Sequence, residues 1–149
     1  MQQLNLPPYP IKLKEEKGTK YIFDPIRKKY LVLQPEEWVR QNFIQFLIKE
    51  KAFPESLIAI EKGLKLNELQ KRADIVIYDN QAEPIVLIEC KAPKVKINQD
   101  VFEQVARYNM VFKVPYLLVT NGLEHYCAKV DFENNSFEFL QELPNYKSL

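Results

Sequence analysis

The sequence predicts a mixed α+β domain of the α/β kind, a mixed central sheet flanked by helices. Three observations carry this. Two strand-like apolar runs, Arg72 to Asp79 and Pro84 to Lys91, are separated by Asn80-Gln81-Ala82-Glu83, a polar stretch of turn-forming length, and read as a β-hairpin. Both faces of these runs are apolar, which places them inside a sheet and not at its edge. Segments with helical spacing precede and follow the hairpin, from Pro35 to about Lys51 and from about Asn98 to Phe112.

Composition bounds the rest. A chain of 149 residues reads as one domain, and 46% hydrophobic with 28% charged residues is ordinary for a globular protein. Only three glycines occur, with no GxGxxG or GxxxxGK[ST], which argues against dinucleotide and P-loop enzymes. The net charge is +1, from 21 basic and 20 acidic residues, so any site for a polyanion must be a local patch. Lys12 to Lys29 holds seven basic and three acidic residues, and Lys91, Lys94 and Lys96 form a second basic group. Taken alone, both read as solvated surface. Cys90 and Cys127 lie in apolar runs and read as buried thiols of a reduced protein. There is no signal-peptide core and no membrane-length run, so a cytoplasmic protein without membrane contact is expected.

The elements follow in order. Residues 1–20, rich in proline and charge, read as an arm, and 21–149 as a single domain. Tyr21–Phe23 and Tyr30–Leu33 flank Asp24-Pro25 and suggest a small hairpin. Pro35 suits the first position of a helix, where Glu36 and Glu37 complement the positive dipole end. Phe43, Phe46 and Leu47 should form its buried stripe, widened by Trp38, Val39, Ile44 and Ile48. A strand from Leu57 to Leu64 precedes the central hairpin. The second helix should bury Val101, Val105, Tyr108 and Phe112. Strands at 116–120, 125–132 and 136–140 complete the chain, the first laid parallel to its neighbour by the helical crossover.

The hairpin carries the chemistry. A turn centred between Gln81 and Ala82 sets Asp79 opposite Pro84 and Asp74 opposite Glu89. Opposed residues have Cβ atoms roughly 4.5–5.5 Å apart, and two carboxylates that close need a proton or cation between them. Lys91, two residues beyond Glu89, points to the same face. Asp74 and Glu89 are therefore candidate ligands for Mg²⁺, which takes oxygen donors at about 2.0–2.1 Å. The Cys90 carbonyl is a third, since its side chain turns to the other face. Lys91 is placed to orient a metal-bound water and to stabilise transition-state charge.

Other residues are less marked. From spacing alone, Gln104 and Tyr108, at i and i+4, read as a solvated glutamine and a core tyrosine. Glu37 could reach the metal but already has a reason to be acidic at a helix start, and Glu61 is a second candidate for that role. Arg40 pairs with Glu36 or Glu37, or else contacts phosphate. His125, with no second histidine or nucleophile near it, reads as an ordinary strand residue.

Four pieces, Pro35-Glu36-Glu37-Trp38-Val39-Arg40-Gln41, Arg72-Ala73-Asp74-Ile75-Val76, Ile88-Glu89-Cys90-Lys91-Ala92-Pro93 and Gln104-Val105-Ala106-Arg107-Tyr108, occur in this order. In them the chain resembles the PD-(D/E)XK nuclease superfamily. It is most similar to the N-terminal nuclease domain of type I restriction enzyme R subunits and its small stand-alone versions. Ala73 stands where the superfamily name has proline, a position that varies. The resemblance implies a restriction-endonuclease-like αβββαβ core over about 35–121, with the N-terminal hairpin and C-terminal strands as additions. It implies Mg²⁺-dependent phosphodiester hydrolysis, with Mn²⁺ able to substitute. Asp74, Glu89 and the Cys90 carbonyl would hold the metal, Lys91 would activate water, and Gln104 would assist. Tyr108, Arg40 and Lys94 would meet the substrate, and Glu37 would be a further acid. DNA is expected before RNA, in a restriction or defence setting, with a homodimer or another protein as partner. The alternative is a catalytically silent module of the same fold that binds nucleic acid or a protein.

Overall fold

The computed structural model describes residues 2–66 and 69–149, and side chains except those of 61–72, 108 and 111. Among the described residues there are two sheets. The first is β1 (Leu13–Glu16), β2 (Thr19–Asp24) and β3 (Lys29–Val32), antiparallel in that order. Lys17 and Gly18 turn between β1 and β2 at φ +51° and +81°, a conformation glycine adopts without a Cβ penalty.

The expected arm is therefore corrected. Its second half is strand, and its first half is docked. The Trp38 indole N–H donates to the Gln2 carbonyl at 2.8 Å, and Asn5 N–H donates to the Gly122 carbonyl at 2.8 Å. Leu4 is buried over Gly122 (φ +86°), where an added Cβ would lie 2.7 Å from Leu4 Cδ2. Proline and lysine made this stretch look unpartnered, but its partners are far away in sequence.

Helix α1 spans Pro35–Lys49, with proline in its first turn beside Glu36 and Glu37, as expected. Val39, Phe43, Ile44 and Leu47 are buried, while Trp38, Phe46 and Ile48 pack at the margin. Arg40, Gln41 and Asn42 are buried too, which apolar periodicity does not signal.

The second sheet runs β4 (Ile58–Leu66), β5 (Leu69–Tyr78), β6 (Pro84–Cys90), β7 (Tyr116–Thr120), β8 (His125–Asp131) and β9 (Ser136–Leu140), in that spatial order. Only the β6–β7 pair is parallel, because α2 (Gln99–Asn109) and a 3-10 turn (Met110–Phe112) carry the chain across between them. The strands expected at 57–64 and 125–132 shift by one or two residues at their ends. The central hairpin pairs Ile75 with Ile88, Val76 with Leu87 and Ile77 with Val86, the register the turn position predicts. Toward the turn the register shifts between Ile77 and Tyr78, so Tyr78, and not Asp79, pairs with Pro84. Asp79 instead closes the turn, accepting the Gln81 and Glu83 N–H groups at 2.8 and 3.0 Å.

Alternation along the strands sorts the core into two faces. Ile75, Ile77, Val86, Ile88, Cys90 and Leu118 pack under α1. Val76, Leu87, Leu117, Val119, Ala128 and Val130 pack under α2. Ala73 joins the α2 side, although strict alternation would group it with Ile75, so the pleat slips at Asp74. Helix α2 also differs from expectation. Phe102, Ala106 and Asn109 are its fully buried positions among the described residues, Val101, Val105 and Phe112 are only half-buried, and the Tyr108 side chain lies outside the described residues. Phe102 meets Tyr126, Phe137 and Phe139 with ring centroids 6.2, 5.9 and 5.2 Å away. The C-terminal strands thus anchor the helix and rotate its buried face one residue from the valine stripe. Among the described residues no helix is long and apolar enough to cross a membrane.

Candidate functional site

The site gathers at the end of the central hairpin where β6 and β7 finish. In a parallel ladder alternate residues bond to one neighbour. Lys91 N–H donates to the Thr120 carbonyl at 2.8 Å, so the Cys90 peptide groups face β5. There Cys90 N–H donates to Asp74 Oδ2 at 2.7 Å. The carboxylate of Asp74 thus takes a donor at the end of the strand pairing, next to the point where the pleat slips. The Cys90 thiol is buried on the α1 side, and burial pushes its pKa well above the usual range, so it is an inert core group.

Glu89 and Lys91 extend from the other face. Lys91 Nζ lies 3.8 Å from Glu89 Oε2, with the Glu89 side chain 11% and the Lys91 side chain 37% exposed. Burial raises the Asp74 pKa first and the Glu89 charge raises it further, while the Cys90 N–H, Arg40 and Lys91 pull it down. Asp74 and Glu89 therefore share one electrostatic environment, as their opposition in the hairpin predicts.

Helix α1 contributes the remaining charges. Arg40, buried at the helix, lies 3.7 Å from Asp74 Oδ1, Glu36 Oε1 and Glu37 Oε1. Glu37 is tied to its own helix and to the turn after β2. It accepts the Gln41 amide at 2.9 Å and pairs with Arg27 at 3.4 Å, and Arg27 also pairs with Asp24. Glu36 also interacts with the hairpin charges. Its pKa is raised first by burial and next by Asp74, and lowered by Arg40 and Lys91. Sequence reasoning singled out the neighbouring Glu37, and it missed Glu36 and Arg27. Both acids sit in a first helical turn, where either has the same local reason to be acidic. Arg27 joins only because the turn after β2 folds against α1.

Gln104 is exposed on α2. Lys94 is exposed in the loop after β6. Glu61 and Tyr108 have side chains outside the described residues. His125 Nδ1 lies 2.6 Å from Thr120 Oγ1, and Nε2 lies 3.1 Å from the Asn5 carbonyl, which ties β8 to β7 and the N-terminal segment.

Among the described residues no group of three His, Cys, Asp or Glu side chains is close enough to hold a metal ion. The oxygen donors at this end of the hairpin belong to Asp74, Glu89 and the Cys90 main chain. That donor set fits a hard cation completed by water and substrate oxygens.

The family described as type I restriction enzyme R protein N terminus matches residues 35–144. Among solved structures, the chain is similar to a fragment described as an HsdR subunit of a type I restriction enzyme from Vibrio vulnificus YJ016. The identity is 19% and the TM-score 0.52, covering 75% of this chain and 24% of that one. At that identity the likeness concerns the fold, and this chain spans about a quarter of that protein's length. No curated protein matches. With most of its length matched, the chain belongs to the family of type I restriction enzyme R protein N-terminal domains.

Proposed function

We propose that this chain is a metal-dependent nuclease domain that hydrolyses the DNA backbone, in the setting of a restriction system. The observation that carries the reading is the Lys91 ammonium 3.8 Å from Glu89, at the end of a hairpin whose last regular pair, Ile75 with Ile88, is flanked by Asp74 and Glu89. Asp74, Glu89 and the Cys90 carbonyl would hold Mg²⁺ or Mn²⁺, which supplies an acidified water and neutralises phosphate charge. Lys91 is exposed enough to reach a scissile phosphate and orients the attacking water. Glu37, or its neighbour Glu36, would be the further acid. Gln104, Tyr108, Arg40 and Lys94 remain candidates for substrate contact. The subunit that carries such a domain would act within a multi-subunit assembly in the cytoplasm, as homodimer or with other proteins.

Cleavage of supercoiled plasmid in Mg²⁺ or Mn²⁺, with Lys91→Ala alongside, tests this. Loss of about 100-fold or more in the variant supports it, being the size of effect expected when a charge-stabilising donor is removed. Equal cleavage by both proteins overturns it.

A second reading, a silent module of the same fold, is favoured by one contact. Arg40 already places a guanidinium 3.7 Å from Asp74, a cation where a metal would sit. A folded wild type that neither cleaves nor gains stability from Mg²⁺ selects this reading.

A further inference from the structure

The three-stranded sheet presents an aromatic and basic face that the site above does not use. Strand alternation puts Ile22 and Asp24 on one face, where both are fully buried, and Tyr21 and Phe23 on the other, where both are half-buried and Phe23 also lines a cavity with Gln41 and Gln45 of α1. The register sets Lys14 and Val32 on either side of Tyr21, and Tyr30 beside Phe23. The Phe23 and Tyr30 rings meet edge-on at 5.1 Å. Lys14 Nζ lies 4.3 Å from the Tyr30 centroid and 5.6 Å from that of Tyr21, and Lys12 Nζ lies 5.4 Å from that of Phe23. Tyr30 and Val32 are among the exposed large apolar residues. Lys14 also pairs with Glu16 at 3.1 Å, an exposed contact that rearranges at little cost.

Charge complements the rings. Residues 12–29 hold seven of the 21 basic residues and three of the 20 acidic ones, so the rest of the chain is net acidic. The net positive charge of a near-neutral protein thus lies in the segment that forms this sheet.

We infer that this face binds single-stranded nucleic acid, with bases stacked on Tyr30, Phe23 and Tyr21 and the backbone phosphates met by Lys12 and Lys14. A duplex hides its base faces and is read by a helix or ribbon in a groove. Ring faces on an open sheet serve unstacked bases, and lysines between them track the phosphates. The lysines now over the rings would swing to phosphate as bases take their place. No residue of this face belongs to the candidate active site, so the inference is measured separately from the nuclease reading.

The test is fluorescence anisotropy of the full chain with a labelled oligothymidylate of roughly 20 nucleotides. The buffer contains EDTA, so that no cleavage enters. The single strand should bind more tightly than a duplex of equal length. Tyr30→Ala should weaken it about tenfold, and Tyr30→Phe, which keeps the ring, should not. Lys14→Gln should weaken binding and lower the salt slope by about 0.7, one phosphate's share on a single strand. Its exposed side chain keeps the test valid if Tyr30→Ala fails to fold. Unchanged affinity in the folded variants, or no oligonucleotide binding by wild type, overturns the inference, as does a Tyr30→Ala that only dissociates a dimer. Binding by wild type without cleavage in Mg²⁺ supports this inference and overturns the nuclease reading alone, whereas cleavage without single-strand binding in EDTA overturns this inference alone.

Discussion

Cys90 donates its backbone N–H to Asp74 Oδ2 at 2.7 Å, so one oxygen of the candidate metal ligand also completes the hairpin. The other oxygen, Oδ1, lies on the Arg40 side at 3.7 Å. Asparagine at this position keeps an acceptor for Cys90 and loses the charge. Asp74→Asn should therefore fold but no longer respond to metal. Mg²⁺ at about 100 times its Kd should stabilise wild type by about 2.7 kcal/mol. That corresponds to a Tm rise of about 5–10 °C for a chain of this size. A thermal shift of similar size in Asp74→Asn would mean that the cation binds elsewhere.

The adjacent acids of α1 should behave differently. Glu37 is mostly buried and serves Arg27, Arg40 and Gln41, so Glu37→Gln should cost about 1–3 kcal/mol of stability. Glu36 is about half exposed, at 46% for its side chain, and Glu36→Gln should change stability by no more than about 0.5 kcal/mol. The same change should weaken the Mg²⁺-dependent thermal shift. Urea denaturation of both variants, with and without metal, measures both effects. The reverse ranking would make Glu37 the functional acid.

Helix α2 offers a packing test far from the charges. Phe102 is fully buried among three aromatic rings, and Phe102→Ala should cost about 3–5 kcal/mol. Val101, half-buried one residue earlier, should cost much less as alanine. Comparable losses by chemical denaturation would restore the valine stripe as the buried face.

His125 sets a pH dependence with a definite sign. Burial lowers its pKa from the ordinary 6.5, and the bond to the Asn5 carbonyl only partly offsets this. Below pH 6.5 the unfolded chain takes up this proton before the folded one does. Its contribution to stability is thus complete above that value and is lost as pH falls through the folded pKa. The drop in unfolding free energy between neutral and mildly acid pH should shrink in His125→Asn. An identical drop in variant and wild type would place the acid sensitivity in other groups.

What the sequence made legible follows from which forces are local. The order of strands and helices and the pairing of Ile75 with Ile88 were readable, because a short polar turn and a period of two leave few registers. The charges of Asp74, Glu89 and Lys91 followed from that register. The buried face of α2 was not readable. Val101 with Val105 and Phe102 with Ala106 both satisfy helical spacing, and the choice is made by Phe137 and Phe139 from the far end of the chain. Glu36 and Glu37 are likewise equivalent to any local rule. What separates them is Arg27, delivered by the turn after β2. The strand Leu13–Glu16 was missed for the same reason, since its lysines and glutamates become a strand only beside Tyr21 and Ile22.

The shift between Ile77 and Tyr78 makes the hairpin tip an independent unit. Asp79 holds the tip with its own side chain, and three regular pairs lie between it and the acidic rim. Extra residues grafted between Gln81 and Ala82 are taken up on the tip side and leave the spacing of Asp74 and Glu89 untouched. The tip is thus a handle, a place for a fluorophore or an affinity peptide through which the protein can be held or watched while its rim stays free to work.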